Sequence, residues 1–286
     1  MNLTNSKEKR LRQLNRFFCY LILILLALAC LFPFYLLIVN ATRAHSQIQK
    51  GFSSTFGEFF LTNLKNVLSN NELPVLRGIG NSFIVAASSA ILATYFSIMT
   101  SFSLYVYDFK LKKFFFTFIM SIMMIPNQVS ALGFMRLMNK LGLMDSLLPL
   151  ILPSISSPIV FFFMYSYMQS NLPLAMIEAA RIDGASEFRI FNQMVLPIMK
   201  PAVAVQAIFT FVGSWNNYFI PSLIIRSTNK KTLPILIAQL RSADYLKFDM
   251  GQVYMLIFLA IIPILIVYIF LSKYIVRGVA VGSVKE

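Results

Sequence analysis

Runs of about 20 apolar residues recur along this 286-residue chain, each long enough to cross the hydrocarbon core of a bilayer as an α-helix. No other feature of the sequence narrows the possible folds as far. Inside a bilayer every backbone N–H and C=O must be bonded within the protein, so only helices and closed barrels can cross. Barrel strands alternate apolar and polar positions in short segments, whereas the apolar runs here are continuous. The chain is 58% hydrophobic and 13% charged, against about 25% charged in soluble domains. The sequence therefore reads as an all-α integral membrane protein.

Six spans are expected, at 17–39, 81–107, 114–132, 147–168, 202–225 and 253–272. Pro33, Pro126, Pro153, Pro158, Pro221 and Pro263 fall within them. A proline kinks a membrane helix and frees a backbone carbonyl that neighbours must satisfy, so a bundle with bent elements is predicted. The basic residues before Phe17 resemble a secretory leader, but the apolar run from Phe17 to Val39 is too long and lacks a small-residue cleavage site. It is read as a retained first helix. With the N-terminus inside, the inside segments carry 14 Lys and Arg and the outside segments 11, a modest bias that favours cytoplasmic termini. The organisation is then a tail at 1–16, a first span and outside loop at 17–80, a transmembrane core at 81–272 containing an inside loop at 169–201, and a tail at 273–286.

The net charge of +14 has its simplest source in basic residues flanking spans and facing anionic lipid, not in nucleic-acid binding. Cys19 and Cys30 lie eleven residues apart in the first span, too far along one helix for a disulfide. One histidine, His45, cannot form a metal site alone. With the expected boundaries no Asp, Glu, Lys or Arg falls inside a span. Ion-coupled carriers keep ionisable groups at membrane depth, so an ion-driven carrier is disfavoured. The chain also lacks the Gly-Lys pair of a phosphate-binding loop. If it drives solute uphill, the energy enters from another subunit.

One compact polar stretch stands out, "IEAARIDGAS" at 177–186. Asn171 and Pro173 suit a helix start, and helical spacing then groups Ala175, Ala179 and Ile182 on one face. Gly184 suits a left-handed helix end. Ser186 suits the cap of a second helix presenting Phe188, Phe191 and Val195. Pro197 and Pro201 are expected to close the segment before the fifth span. A basic DNA-reading element is excluded by the balance of Arg181, Arg189 and Lys200 against Glu178, Asp183 and Glu187. The residues alone leave two occupants open: lipid headgroups, or a cytoplasmic protein docked with Phe188 and Phe191 as anchors.

The stretch "EAARIDGASEFRIFNQMVLPIMKPA" (178–202) resembles the EAA loop of binding-protein-dependent ABC importer permeases, through Glu178, Ala179, Ala180, Asp183, Gly184, Ala185, Leu196, Pro197 and Pro201. "NSFIVA" (81–86), "GLMDSLLPLILP" (142–153) and "GSWNNYFIPSLI" (213–224) are similar to sugar permeases of that family, although Asn217 stands where an acidic residue is usual. "RGVAVGSVKE" (277–286) resembles the ending of maltose-type second permeases, with Glu286 departing from the usual glycine. The resemblance implies a six-span type I importer permease in a bacterial cell membrane. It also implies a heterodimeric second permease, two ATPase subunits that use ATP and Mg, and an extracytoplasmic solute-binding protein, with no cofactor bound by this chain. It further implies that the EAA loop, with Glu178, Gly184, Phe188 and Phe191, seats in a groove of the ATPase. Carbohydrate is the implied solute, an oligosaccharide first and glycerol-3-phosphate or a polyol second.

Trp215, Asn216, Asn217 and Tyr218 combine aromatic faces with amides, which suits a sugar ring with its stacked C–H face and paired hydroxyls. The same residues equally suit an interfacial aromatic with helix-to-helix amide bonds. Asn127 and Gln128, beside Pro126, are further candidates for lining the path.

Overall fold

The computed structural model of the chain describes residues 3–70, 73–242 and 248–282. Among the described residues the regular structure is helical throughout. The elements are α1 (Leu3–Ala41), α2 (His45–Gln49), α3 (Phe60–Leu68), α4 (Val75–Val106), α5 (Lys112–Ile122), α6 (Asn127–Lys140), α7 (Leu148–Ile151), α8 (Pro158–Asn171) and α9 (Leu174–Ile182). These are followed by α10 (Glu187–Ile190), α11 (Leu196–Trp215), α12 (Phe219–Ile224), α13 (Leu233–Arg241) and α14 (Met250–Gly282). Among the described residues five stretches are long and apolar enough to cross a membrane: Arg12–Ala41, Val75–Val106, Leu148–Asn171, Glu187–Trp215 and Met250–Lys273.

The expected third span, 114–132, is two helices. α5 stops at Ile122 and α6 starts at Asn127, with Pro126 between them. Pro126 lacks an N–H, and its ring would meet the carbonyl four residues back, which is that of Ile122. The expected kink is thus a full break. The fifth span is also divided, since α11 ends at Trp215 and α12 begins at Phe219.

The chain divides into two compact units. The first, Met1–Ser69 with Ala243–Leu259, is organised by polar groups. Asn63 is buried and donates from Nδ2 to the carbonyls of Ala41 (2.9 Å) and Arg43 (3.0 Å). The buried Arg43 guanidinium donates to Asn40 Oδ1 and to the carbonyls of Gly51 and Gln47. His45 is structural: its Nδ1 accepts the Met250 N–H at 3.0 Å, at the start of α14. Cys19 and Cys30 are free and exposed on α1.

The second unit, Asn70–Ser242 with Ala260–Glu286, is built on α4. The buried positions of α4 are mostly small: Gly78, Ser82, Ala86, Ser89, Ala90, Ala93, Ser97 and Ser101. Small side chains let helix backbones approach closely, and α8, α11 and α13 all pack on α4. Ser101 Oγ donates to the carbonyls of Ser97 (2.7 Å) and Phe161 (3.3 Å). The motif-like pair Asn81–Ser82 holds the segment that leads into α13. Asn81 Nδ2 donates to the carbonyls of Asn229 (2.9 Å) and Lys231 (3.0 Å). Ser82 Oγ accepts the Leu233 N–H at 2.8 Å, capping α13 from another helix, since Thr232 makes no side-chain cap bond.

Ser82 and Leu233 are both buried, so Ser82→Ala strands an N–H away from water. A loss of about 1–3 kcal/mol is expected, read as a lowered unfolding midpoint of the detergent-purified protein, with Ser82→Thr costing less.

Candidate functional site

The EAA-like loop folds largely as its turn chemistry dictates. α9 ends in a paired turn: Gly184 N donates to Arg181 O and Ala185 N to Ala180 O, both at 3.0 Å. This is the double bond pattern of a left-handed helix terminus, and Gly184 has φ +77°. Ser186 caps α10, its Oγ accepting the Arg189 N–H at 3.4 Å.

Three expectations for this loop change. Asn171 does not cap α9; it is the last residue of α8 and donates to Tyr167 O at 2.9 Å. Ala175, Ala179 and Ile182 do share a face of α9, the exposed one, with Ile182 86% exposed, while Ile177 and Ala180 turn inward. Pro197 and Pro201 do not close the segment, because α10 continues through a π-helical turn at Phe191–Val195 into α11. In that turn Leu196 N reaches back five residues to Phe191 O, and the widened ring accommodates the missing N–H of Pro197. Finally, Phe188 and Phe191 separate. Phe188 is 75% exposed, whereas Phe191 is 4% exposed and lies edge-on to Tyr95 and tilted against Phe102 of α4, with ring centroids 5.8 and 5.6 Å away. Phe191 fastens the loop to the helix bundle and offers nothing to a docked protein.

The outward side of the loop presents Glu178, Ala179, Asp183, Ile182 and Phe188. Beside it an open cleft of about 390 Å³ is lined by Met176, Ala180, Asp183, Arg189, Ile190 and Met194, among others. Arg181 closes on Glu187 with two parallel bonds, Nε–Oε1 at 2.6 Å and Nη2–Oε2 at 3.2 Å. The Tyr107 hydroxyl donates to Glu187 Oε2, and the Arg181 guanidinium lies 5.4 Å from the Tyr107 ring centroid. The bond to Glu187 raises Arg181 above its usual value. Burial, then the bond to the Glu187 carboxylate, raises the Tyr107 phenol, so it stays protonated and donates. This cluster joins positions 80 residues apart in the sequence, beyond the reach of any local pattern.

The amide pairs proposed for the solute path sit at the two helix breaks. Asn216, Asn217 and Tyr218 are exposed between α11 and α12, and Gln128 is exposed in the first turn of α6. Asn127 is the first residue of α6; its side chain lies outside the described residues. Trp215 differs from its neighbours: it is 2% exposed and stacked on Phe211, with centroids 5.7 Å apart. It anchors the end of α11 and does not face a path.

Asp145, within the "GLMDS" stretch, joins the far ends of α6 and α12. It adopts φ 55°, uncommon for a non-glycine residue. Its N–H donates to Ile224 O at 3.0 Å, and its Oδ1 accepts the N–H groups of Arg226 and Ser227, both at 2.9 Å. Its Oδ2 accepts the Ser227 hydroxyl and Lys230 Nζ. The two helices therefore run the same way from their breaks toward this clasp, and α12 packs on α6.

A family model, "Binding-protein-dependent transport system inner membrane component", matches residues 93–281. The chain belongs to this family. It is 33% identical over 270 residues to the arabinooligosaccharides transport system permease protein AraQ of Bacillus subtilis (strain 168), covering 93% of this chain and 94% of AraQ. It is 30% identical over 266 residues to the sn-glycerol-3-phosphate transport system permease protein UgpE of Pectobacterium atrosepticum, covering 91% and 94%. The fold is also that of a chain in the crystal structure of a bacterial ABC transporter involved in the import of the acidic polysaccharide alginate. That match has a TM-score of 0.79 at 20% identity, over 93% of this chain and 98% of that one. As a family member with five long apolar helices, the protein is a multi-pass membrane permease. The last four residues of the maltose-type ending, 283–286, lie outside the described residues.

The bonds from Ser227 and Arg226 hold the Asp145 carboxyl well below the usual carboxylate range. Such a group stabilises the fold at every pH above the unfolded carboxyl value, near 4, and the benefit fades as pH falls through the lower folded value. Wild type is therefore expected to unfold at a higher temperature than Asp145→Asn at pH 7, with the gap narrowing below about pH 4. Parallel melting curves from pH 7 to pH 3 check this, and a gap that widened on acidification would contradict it.

Proposed function

We propose that this chain is a permease subunit of an ATP-driven ABC importer for carbohydrate, with oligosaccharide the first choice. The observation that carries the reading is the outward side of the 174–188 loop, where two large apolar side chains, Ile182 and Phe188, stand 86% and 75% exposed around Glu178 and Asp183. Exposed apolar anchors ringed by charge suit a protein groove. In this reading the loop faces the cytoplasm and seats on one of two ATPase subunits. Those subunits bind and hydrolyse ATP with Mg, and this chain holds no cofactor. The Gly184 turn fixes the angle between α9 and α10, Glu178 meets polar groups of the ATPase, and Ile182 takes the anchoring role first given to Phe191.

A second permease completes the path as a heterodimer, and an extracytoplasmic binding protein delivers the solute. Both termini lie in the cytoplasm, and α5 with α6 crosses as a broken sixth span. The break residues Asn216, Asn217, Tyr218 and Gln128 face the path, where amides pair with sugar hydroxyls. A second solute class, glycerol-3-phosphate or a polyol, is favoured by the likeness to UgpE.

Phe188→Ala is expected to weaken ATPase association roughly tenfold or more with little change in folding. Phe191→Ala instead lowers stability by about 3–5 kcal/mol. Co-purification and melting of both variants separate the two roles, and unimpaired association of Phe188→Ala would remove the docking assignment. Glu178→Ala reduces the ATPase activity of the reconstituted complex more than membrane insertion.

Asn216→Ala with Asn217→Ala leaves ATPase assembly intact and lowers uptake across a panel of arabinooligosaccharides, maltodextrins and glycerol-3-phosphate. Unaltered uptake of every solute that wild type imports would exclude these amides from the path.

A further inference from the structure

The loop that the preceding reading seats on the ATPase is tied, at its start and at its finish, to the same place: the C-terminal end of α4, through Tyr105 in its last turn and Tyr107, the residue just past it. Where α8 gives way to α9, the Tyr105 hydroxyl donates to Leu172 O at 3.1 Å. Where α10 begins, the Tyr107 hydroxyl donates to Glu187 Oε2. Glu187 in turn grips Arg181 in the last turn of α9. Lys112 Nζ donates to Tyr105 O at 3.4 Å, holding the backbone beneath the two tyrosines.

Both ends of α9 need such ties. Leu172 and Pro173 are extended, with ψ 102° and 126°, and Gly184 is left-handed. Each junction is a non-helical link where a push on α9 could be taken up by bending. Closing the turn itself does not use the tyrosines, because Gly184 N and Ala185 N satisfy it. We propose that Tyr105 and Tyr107 are positioning residues for energy coupling. Their hydroxyls lock α9 to α4, so that a displacement of the loop by the ATPase is passed to α4 and α11 together. This rests on the importer reading.

The double variant Tyr105→Phe/Tyr107→Phe removes both hydroxyls and keeps both rings, including the edge contact of Tyr107 with Phe102 at 5.8 Å. Spin labels on cysteines at Ala175 of α9 and Ser103 of α4, both exposed, report the distance between the two helices. Cys19 and Cys30 are replaced, and the full complex with its co-purified ATPase subunits is measured nucleotide-free and ATP-trapped. In the wild-type background one narrow distance is expected in both states. In the double variant the distribution broadens and shifts on ATP trapping, while ATPase association is retained.

A wild-type distance that itself changes with nucleotide overturns the inference while leaving the importer reading standing. So does a double variant indistinguishable from wild type, or one that simply loses ATPase association. A wild-type chain that never assembles with an ATPase overturns the importer reading instead, and this inference with it. If the double variant does not insert, Tyr107→Phe alone is read by the same criteria.

Discussion

The close approach of other helices to the small-residue side of α4 is the contact on which the second unit depends. Ala86, Ala90, Ala93, Ser97 and Ser101 leave room for backbones to meet, and in a membrane protein such packing replaces the hydrophobic drive between helices that water would supply. α8 and α11 pack on α4 and on each other. Everything proposed to be functional in the loop is placed by reference to these three helices. Phe191 enters between Tyr95 and Phe102 of α4, and α9 follows directly from α8. A larger residue in the middle of that stripe would therefore displace the loop as well as the core.

Two of the motif-like stretches outside the loop find a structural use. Asn81 and Ser82 bond the backbone at Asn229, Lys231 and Leu233. Asp145 bonds the backbone at Arg226 and Ser227. Together they fasten residues 225–233 to α4 and to the end of α6. The likeness of these stretches to sugar permeases thus has a physical content that owes nothing to solute binding.

The loop's turn was legible in the sequence because its chemistry is local. Gly184 and Ser186 act on neighbours within five residues, and both occupy the positions their types favour. Which face of each flanking helix turns inward was not legible. In an apolar chain, Ile182 and Ile177 carry the same hydrophobic label, and only packing against α4 and α8 decides which turns inward. A face drawn at even spacing through Phe188, Phe191 and Val195 likewise joined an exposed ring to two buried side chains. Proline was visible but ambiguous. Pro126 breaks its helix, whereas Pro197 is carried through, because the wider turn before it relieves its clash, and Pro201 lies inside α11. The Arg181–Glu187–Tyr107 cluster needed the fold itself, since Tyr107 is far away in the chain.

The passage of α10 into α11 without interruption makes 29 residues, Glu187–Trp215, one helical rod, about 43 Å long at 1.5 Å per residue. One end carries the acid that holds the 174–188 loop together, and the other stops at the exposed amides Asn216 and Asn217. A rod of that length is stiff along its axis and cannot shorten to absorb a thrust. If it pivots where it crosses α4, a small sideways step at Glu187 appears as an opposite step at Trp215, with the lever ratio set by the crossing point. The two proposed working regions are then mechanically a single object with two tips.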